Sequence, residues 1–477
     1  MVSGVGYDAL MPSETFGHEL EMHLIALNRE LWAESTGQAV NQSAVFRATQ
    51  AIADLSAALL DDPDPAWRRY GVQLWVESRA RKRDERIIDL LDEHVRARDL
   101  TSSAGPLTWR NWRTFEREAS PKALDAGLQA LVSRTGALVP ALQARLDQTR
   151  LDYATHGLDP VAVFAWREGL SVADLRACLQ KQAVESREAF GVTLQRLGQV
   201  VFGRDVGAAE FHALYLNLMY APNDALFGDI AIETARAQAQ FGALGFDLGA
   251  IPLDLIDRPR KAPGAFCFPI ATPQDVRVSV RMTSRHHLVD MLYHELGHAA
   301  HFAGIDATLP FVDRYWIESG VHETFSTLFE SLLGEPRFLA DELALPTSAV
   351  EALMAFANFK RLLTMTRQSA TALAAMDAWE EGLDWAQSEA RYRLYYRDLV
   401  GVELPIGLGR LDSFLQTLNV YPAGYVLAEL RVAAWVRALR DLGGEAWWRS
   451  PAAQADIRAR IRAGASATFP LDSFTNA

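Results

Sequence analysis

Long stretches of the chain place apolar residues at every third or fourth position, separated by short polar breaks. This is the pattern of amphipathic helices packed on one another. The segments FRATQAIADLSAALL, DERIIDLLDEHVRARDL and SPKALDAGLQALVSRTGALVPALQARLDQTRLDYATHG carry it, and DDPDP, TSSAGPLT and YAPNDALFG interrupt it with Pro, Gly, Ser and Asn. No internal repeat with a period of roughly 20 to 50 residues is visible, which argues against a solenoid.

The texture changes at Ile251. Pro252, Pro259, Pro263, Pro269 and Pro273 crowd a quarter of all the prolines into a short stretch, which is expected to be irregular or extended rather than helical. The following DVRVSVRM alternates Val276, Val278, Val280 and Met282 with Asp275, Arg277, Ser279 and Arg281, the clearest strand signal in the sequence. Helical periodicity returns near Ser284 and runs almost to the end. These shifts predict a mainly α protein with a small β element, organised as a helical region over 1–250 and a chemistry-bearing region over 251–477 within one continuous fold.

The second region holds YHELGHAAHFAG, Tyr293 to Gly304, on a helix apolar on most faces. His294 and His298 are four residues apart, so their imidazoles project from one face, one turn apart, and can reach one metal ion. Glu295 is rotated by about 100°, out of the ligand set but beside water at such an ion. Gly297, mid-helix, points to a close backbone approach or to no special cause. His301 looks like a third ligand but lies about 10 Å along the axis from His294. Three ligands in line cannot form three corners of a tetrahedron, so His301 is expected beside the site or in the core.

The third ligand is expected from the next amphipathic helix, YWIESGVHETFSTLFESLL, which carries Glu318, His322, Glu323 and Glu330. A helix–turn–helix return sets its middle turns opposite the first helix and favours Glu323. Glu330, two turns on along the same face, becomes a supporting carboxylate, and His322 a group that contacts substrate or solvent at the metal. Asp290, one turn before His294, either orients an imidazole or serves as a first-turn carboxylate. Two His and one Glu leave one zinc position open, the catalytic arrangement, with Glu295 as general base.

Composition narrows the setting. With 47 basic and 60 acidic residues the formal charge is −13, and no long basic run occurs, which argues against nucleic acid or an anionic membrane surface as partner. Cys178 and Cys267 are the only cysteines, so neither a disulfide framework nor a cysteine-rich zinc site is available. The absence of a basic-then-apolar leader and of any apolar run near 18 residues predicts a cytoplasmic protein.

His294-Glu295-x-x-His298 with Glu323 in VHETFSTLFE resembles the gluzincin metallopeptidases. GAFC (Gly264 to Cys267) ahead of HELGHAAH resembles the thimet oligopeptidase/oligoendopeptidase F family. DVRVSVR followed by SGVHETFSTLFE resembles the carboxypeptidase Taq family, with angiotensin-converting enzyme more distant. The resemblance covers roughly residues 260 to 335 and VYPAGYVLAEL near the C-terminus. It implies a two-lobed helical fold with a deep cleft, one Zn2+, a short peptide as substrate, and a late-helix tyrosine that stabilises the oxyanion. Tyr425 fits that role first and Tyr421 second, with Tyr395 and Tyr396 in reserve. Where these families often carry further tyrosines, this chain has Val426 and Ala428.

Two questions of mode stay open in the sequence. An exposed edge on the strand over 275–282 would bind a peptide backbone, and one of Arg277 and Arg281 would bind a peptide C-terminus, which would make a carboxypeptidase, unless these arginines are simply solvated or salt-bridged. Cleavage of internal bonds is the leading expectation, and a non-enzymatic helical scaffold is the alternative from another class.

Overall fold

The computed structural model describes residues 13–94, 97–102, 105–107, 112–258 and 260–469. Helices dominate, as the periodicity requires, and their ends follow local chemistry. Ser171 accepts a hydrogen bond from the Asp174 amide to start the helix Val172–Phe202, and Gly203 ends it at φ 67°. The segment over 120–157, continuous in apolar pattern, breaks into Pro121–Val132, a 3-10 turn at Thr135–Leu138 and Val139–Thr155. Pro140 restarts the helix there, in the first turn, where its missing N–H costs nothing. The helical pattern ending in DERIIDLLDEHVRARDL stops at His94, and Ala97–Ser102 pairs antiparallel with Gly105–Leu107 instead.

The proline-rich stretch is more ordered than its composition suggests. It contributes Leu253–Asp254 and Gly264–Ala271, which flank Asp275–Arg281 in a three-stranded sheet. Leu253–Asp254 pairs in parallel and Gly264–Ala271 antiparallel, with Gly264 opposite Arg281 and Cys267 opposite Val278. The DVRVSVR strand is therefore central, and the expectation that it offers a free edge is corrected. The edges are the short Leu253–Asp254 and the longer Gly264–Ala271, and Pro269 sits on the latter.

The inward residues Val276, Val278 and Val280 of the central strand pack with Leu288, Leu292 and Leu296 of the helix Arg285–Gly304, and with Phe325, Phe329 and Trp435. A second core joins Leu131, Leu142 and Phe190 to Phe359, Tyr396 and Leu415. Helices from distant parts of the chain thus share apolar surface at about 25 cal/mol per Å2 buried. Among the described residues, no helix is long and apolar enough to cross a membrane.

Candidate metal centre

Two helices meet at the centre of the sheet-backed core. The first, Arg285–Gly304, starts at Ser284, whose side chain accepts from the His287 amide. The second, Ser319–Ser331, follows a short helix at Phe311–Tyr315 and carries Glu323. A Cβ on Gly297 would lie 2.8 Å from the Ser326 Cα, so glycine there sets how closely the helices approach. That resolves the mid-helix glycine of HELGH: it is a packing contact.

At this crossing His294 Nε2 and His298 Nε2 each lie 3.4 Å from Glu323 Oε2. The three groups offer ligand atoms all within 4.8 Å of one another. For bonds of about 2.0–2.1 Å, neighbouring ligand atoms on a tetrahedron are about 3.3–3.4 Å apart, so the spacing fits one zinc ion. The other oxygen, Glu323 Oε1, accepts a 2.6 Å hydrogen bond from Tyr421 Oη, and Ser326 Oγ is 3.1 Å from Oε2. Burial opposes ionisation of Glu323, but His298 and His294 outweigh it and hold the carboxyl well below its usual range.

The two imidazoles differ behind the metal position. His294 Nδ1 is 2.8 Å from Glu330 Oε2. Burial would raise the Glu330 carboxyl, but Lys360 and the hydrogen bond to His294 bring it down to about 2, so it is an acceptor and Nδ1–H donates. Asp290 does not reach either imidazole. Its Oδ2 accepts from Lys360 Nζ at 2.6 Å and from Tyr220 Oη at 3.0 Å. The reading of Asp290 as a direct orienter is thus corrected: Glu330 touches the histidine, and Asp290 touches Lys360. His298 Nδ1 has no hydrogen-bond partner among the described residues. Its ring packs 5.1 Å from His322 and 6.1 Å from Phe302.

Glu295 lines a cavity of about 270 Å3 together with His294, Tyr425, Arg367 and the edge-strand residues Gly264 and Ala265. Burial pushes its carboxyl above the usual range, against the pull of His294 and His298, and it accepts from the Cys267 backbone. Tyr425 faces this cavity, whereas Tyr421 is committed to Glu323. Burial, followed by Glu323, holds both phenols well above their usual pKa, so both are donors. Gly424 brings the tyrosine helix Pro422–Gly443 onto the second helix, since a Cβ there would meet Ser319 Oγ at 2.3 Å. His322 Nε2 is 3.5 Å from Tyr421 Oη, and burial lowers its pKa to about 4, so it faces the site neutral.

The remaining expected residues lie elsewhere. His301 is fully buried and stacks 4.1 Å from Phe325, a core residue rather than a ligand. Arg277 pairs with Asp275 at 2.7 Å and Arg281 with Asp257 at 2.9 Å, so neither arginine is brought to the metal cluster. Tyr395 donates to Asp377 at 2.9 Å and Tyr396 packs in the second core, which removes both as oxyanion donors. Lys360, Tyr220 and Glu429 were missed in the sequence. Lys360 had one signal, a charge on the helix face it shares with Leu353, Phe356 and Leu363, at spacings of seven, four and three residues.

No family model matches the chain, and no curated protein matches it in sequence. In three dimensions it is similar to a solved structure described as PZ peptidase A with inhibitor 2. The TM-score is 0.65 at 14% identity, over 95% of this chain and 91% of that one. Identity that low speaks for the fold alone. The chain therefore has the mainly α-helical fold of PZ peptidase A, with a His294–His298–Glu323 group able to hold a metal ion at its centre.

Proposed function

We propose that the protein is a zinc-dependent peptidase that hydrolyses bonds within short peptides. One observation carries this reading: two imidazole nitrogens converge at 3.4 Å on one carboxylate oxygen, beside a buried glutamate that faces a cavity. A bound zinc supplies Lewis acidity toward the scissile carbonyl and toward water. Glu295 takes the proton from the attacking water on its carboxylate and returns it to the leaving amine; its raised pKa suits both steps. Tyr425 Oη donates to the oxygen on which negative charge develops. Tyr421 keeps Glu323 Oε1 occupied and so aims Oε2 inward. The edge strand Gly264–Ala271 borders the cavity through Gly264 and Ala265 and is suited to pair with a peptide main chain.

Internal cleavage is favoured over carboxypeptidase action because Arg277 and Arg281, either of which was a candidate to hold a C-terminus, are both engaged in ion pairs on the sheet. Metal analysis with activity of the wild type and of Glu295→Gln tests the reading. About one zinc per chain is expected in both, with hydrolysis lost only in the variant. A wild type that binds no zinc would overturn it. Product mapping on a C-terminally amidated peptide separates the modes, since internal cuts exclude obligate carboxypeptidase action.

A further inference from the structure

We propose that Lys360 is a positioning residue of the metal centre, fixing Glu330 and through it the tautomer and aim of His294. The inference rests on the reading of His294, His298 and Glu323 as zinc ligands. Lys360 comes from the helix Thr347–Leu363, which supplies no ligand. Its Nζ lies 2.6 Å from Asp290 Oδ2 and 2.8 Å from Glu330 Oε1, while Glu330 Oε2 lies 2.8 Å from His294 Nδ1. The chain of contacts therefore runs from ammonium to carboxylate to imidazole, using one Glu330 oxygen for each neighbour. Because an ionised carboxylate only accepts, the imidazole hydrogen is fixed on Nδ1 and the Nε2 lone pair faces the metal position.

Packing alone does not hold this arrangement. Two hollows of about 260 and 270 Å3 are both lined by Thr327, Glu330, Lys360 and Glu429, so these side chains form a wall with space on each side. The terminal torsion of a glutamate is broad and close to two-fold. With hollow space on both sides, a Glu330 held at one oxygen only would sample orientations in which Oε2 leaves His294. The contact to Lys360 removes that freedom. Asp290, itself anchored by Tyr220 Oη at 3.0 Å, keeps the ammonium in place. A charged side chain beside Leu353, Phe356 and Leu363 thus has a specific task, holding the carboxylate that holds His294; disturbing such hydrogen-bonded support of a ligating histidine typically weakens metal binding about 10- to 100-fold.

The test is competition for zinc between a chromophoric chelator and the full chain, for wild type, Lys360→Met and Lys360→Arg, with thermal melting of each metal-free form. Lys360→Met is expected to weaken zinc about 10- to 100-fold while its metal-free form melts like wild type. Lys360→Arg, whose guanidinium fork can still reach both carboxylates, is expected to stay within about threefold. The double variant Lys360→Met with Asp290→Asn leaves no unpaired charge at 290 and is expected to lose the same factor, so the question survives if the single variant does not fold. Unchanged affinity in Lys360→Met, or a loss in both single variants that merely follows lower metal-free melting, would overturn the inference. If the wild type binds zinc and hydrolyses peptide while Lys360→Met binds as tightly, only this inference fails. If the wild type binds no zinc, the proposed function fails with it.

Discussion

His294 and His298 stand one turn apart on the same helix and approach the same carboxylate oxygen at the same 3.4 Å, yet they are supported differently. Behind His294 runs a polar chain of Glu330, Lys360, Asp290 and Tyr220. Behind His298 there are rings, Phe302 and His322, and a ring nitrogen without a hydrogen-bond partner among the described residues. One imidazole is oriented by hydrogen bonds and the other by packing. Two histidines that look alike in HELGH should thus differ in their sensitivity to substitution, and the difference lies in residues far from the motif.

The comparison extends to the tyrosines, and the largest expected effect separates them. Tyr425→Phe should lower kcat about 100- to 1,000-fold with little change in zinc affinity, because in the proposed mechanism it removes a donor to the developing oxyanion. Tyr421→Phe should instead weaken zinc severalfold, since it frees Glu323 Oε1. Steady-state kinetics with zinc titration would distinguish them, and a reversed pattern would exchange the two roles. Next in size, Glu330→Gln should weaken zinc about 10- to 100-fold. Phe302→Leu, on the packed side, should change it less than about tenfold. Equal losses would erase the distinction between polar and packed support.

Smaller effects test the frame around the pair. Gly297→Ala places a methyl 2.8 Å from the Ser326 Cα and should destabilise the fold by about 1–3 kcal/mol, measured by urea denaturation. Glu429 lines both hollows, and burial, with Glu330 close by, raises its carboxyl to about 7. Its folded pKa exceeds the unfolded value, so its favourable contribution is complete below about pH 4.5 and is lost as the pH rises through about 7. Glu429→Gln should therefore be more stable than wild type at pH 8, by on the order of 1 kcal/mol, and lose that advantage near pH 4. Paired melting curves at the two pH values would show it.

How much of this was visible in the sequence depends on the range of each interaction. The spacing of His294 and His298 and the alternation from Asp275 to Arg281 are local, and each appears where its period placed it. Glu323 required only that the next helix turn back. The ion pair of Arg277 with Asp275 was also legible, since residues two apart on a strand share a face. What was hidden is tertiary. Whether Asp275–Arg281 is an edge or a central strand depends on Leu253–Asp254 and Gly264–Ala271, which emerge from a stretch whose prolines conceal any strand pattern. Lys360 meets Asp290 across 70 positions, and Tyr220 meets it across another 70, so no local period could pair them. Tyr421 and Tyr425 share a helix end, and which phenol meets the carboxylate and which the cavity depends on how that helix docks at Gly424 against Ser319, a contact about a hundred positions away that no local period encodes.

The central claim is the ligand set, and zinc K-edge X-ray absorption of the wild-type protein tests it most directly. The expected spectrum has two imidazole nitrogens with oxygen completing the shell, all at about 2.0–2.1 Å. Three imidazoles, which would bring His301 or His322 to the metal, or a sulfur shell at about 2.3 Å, would contradict it.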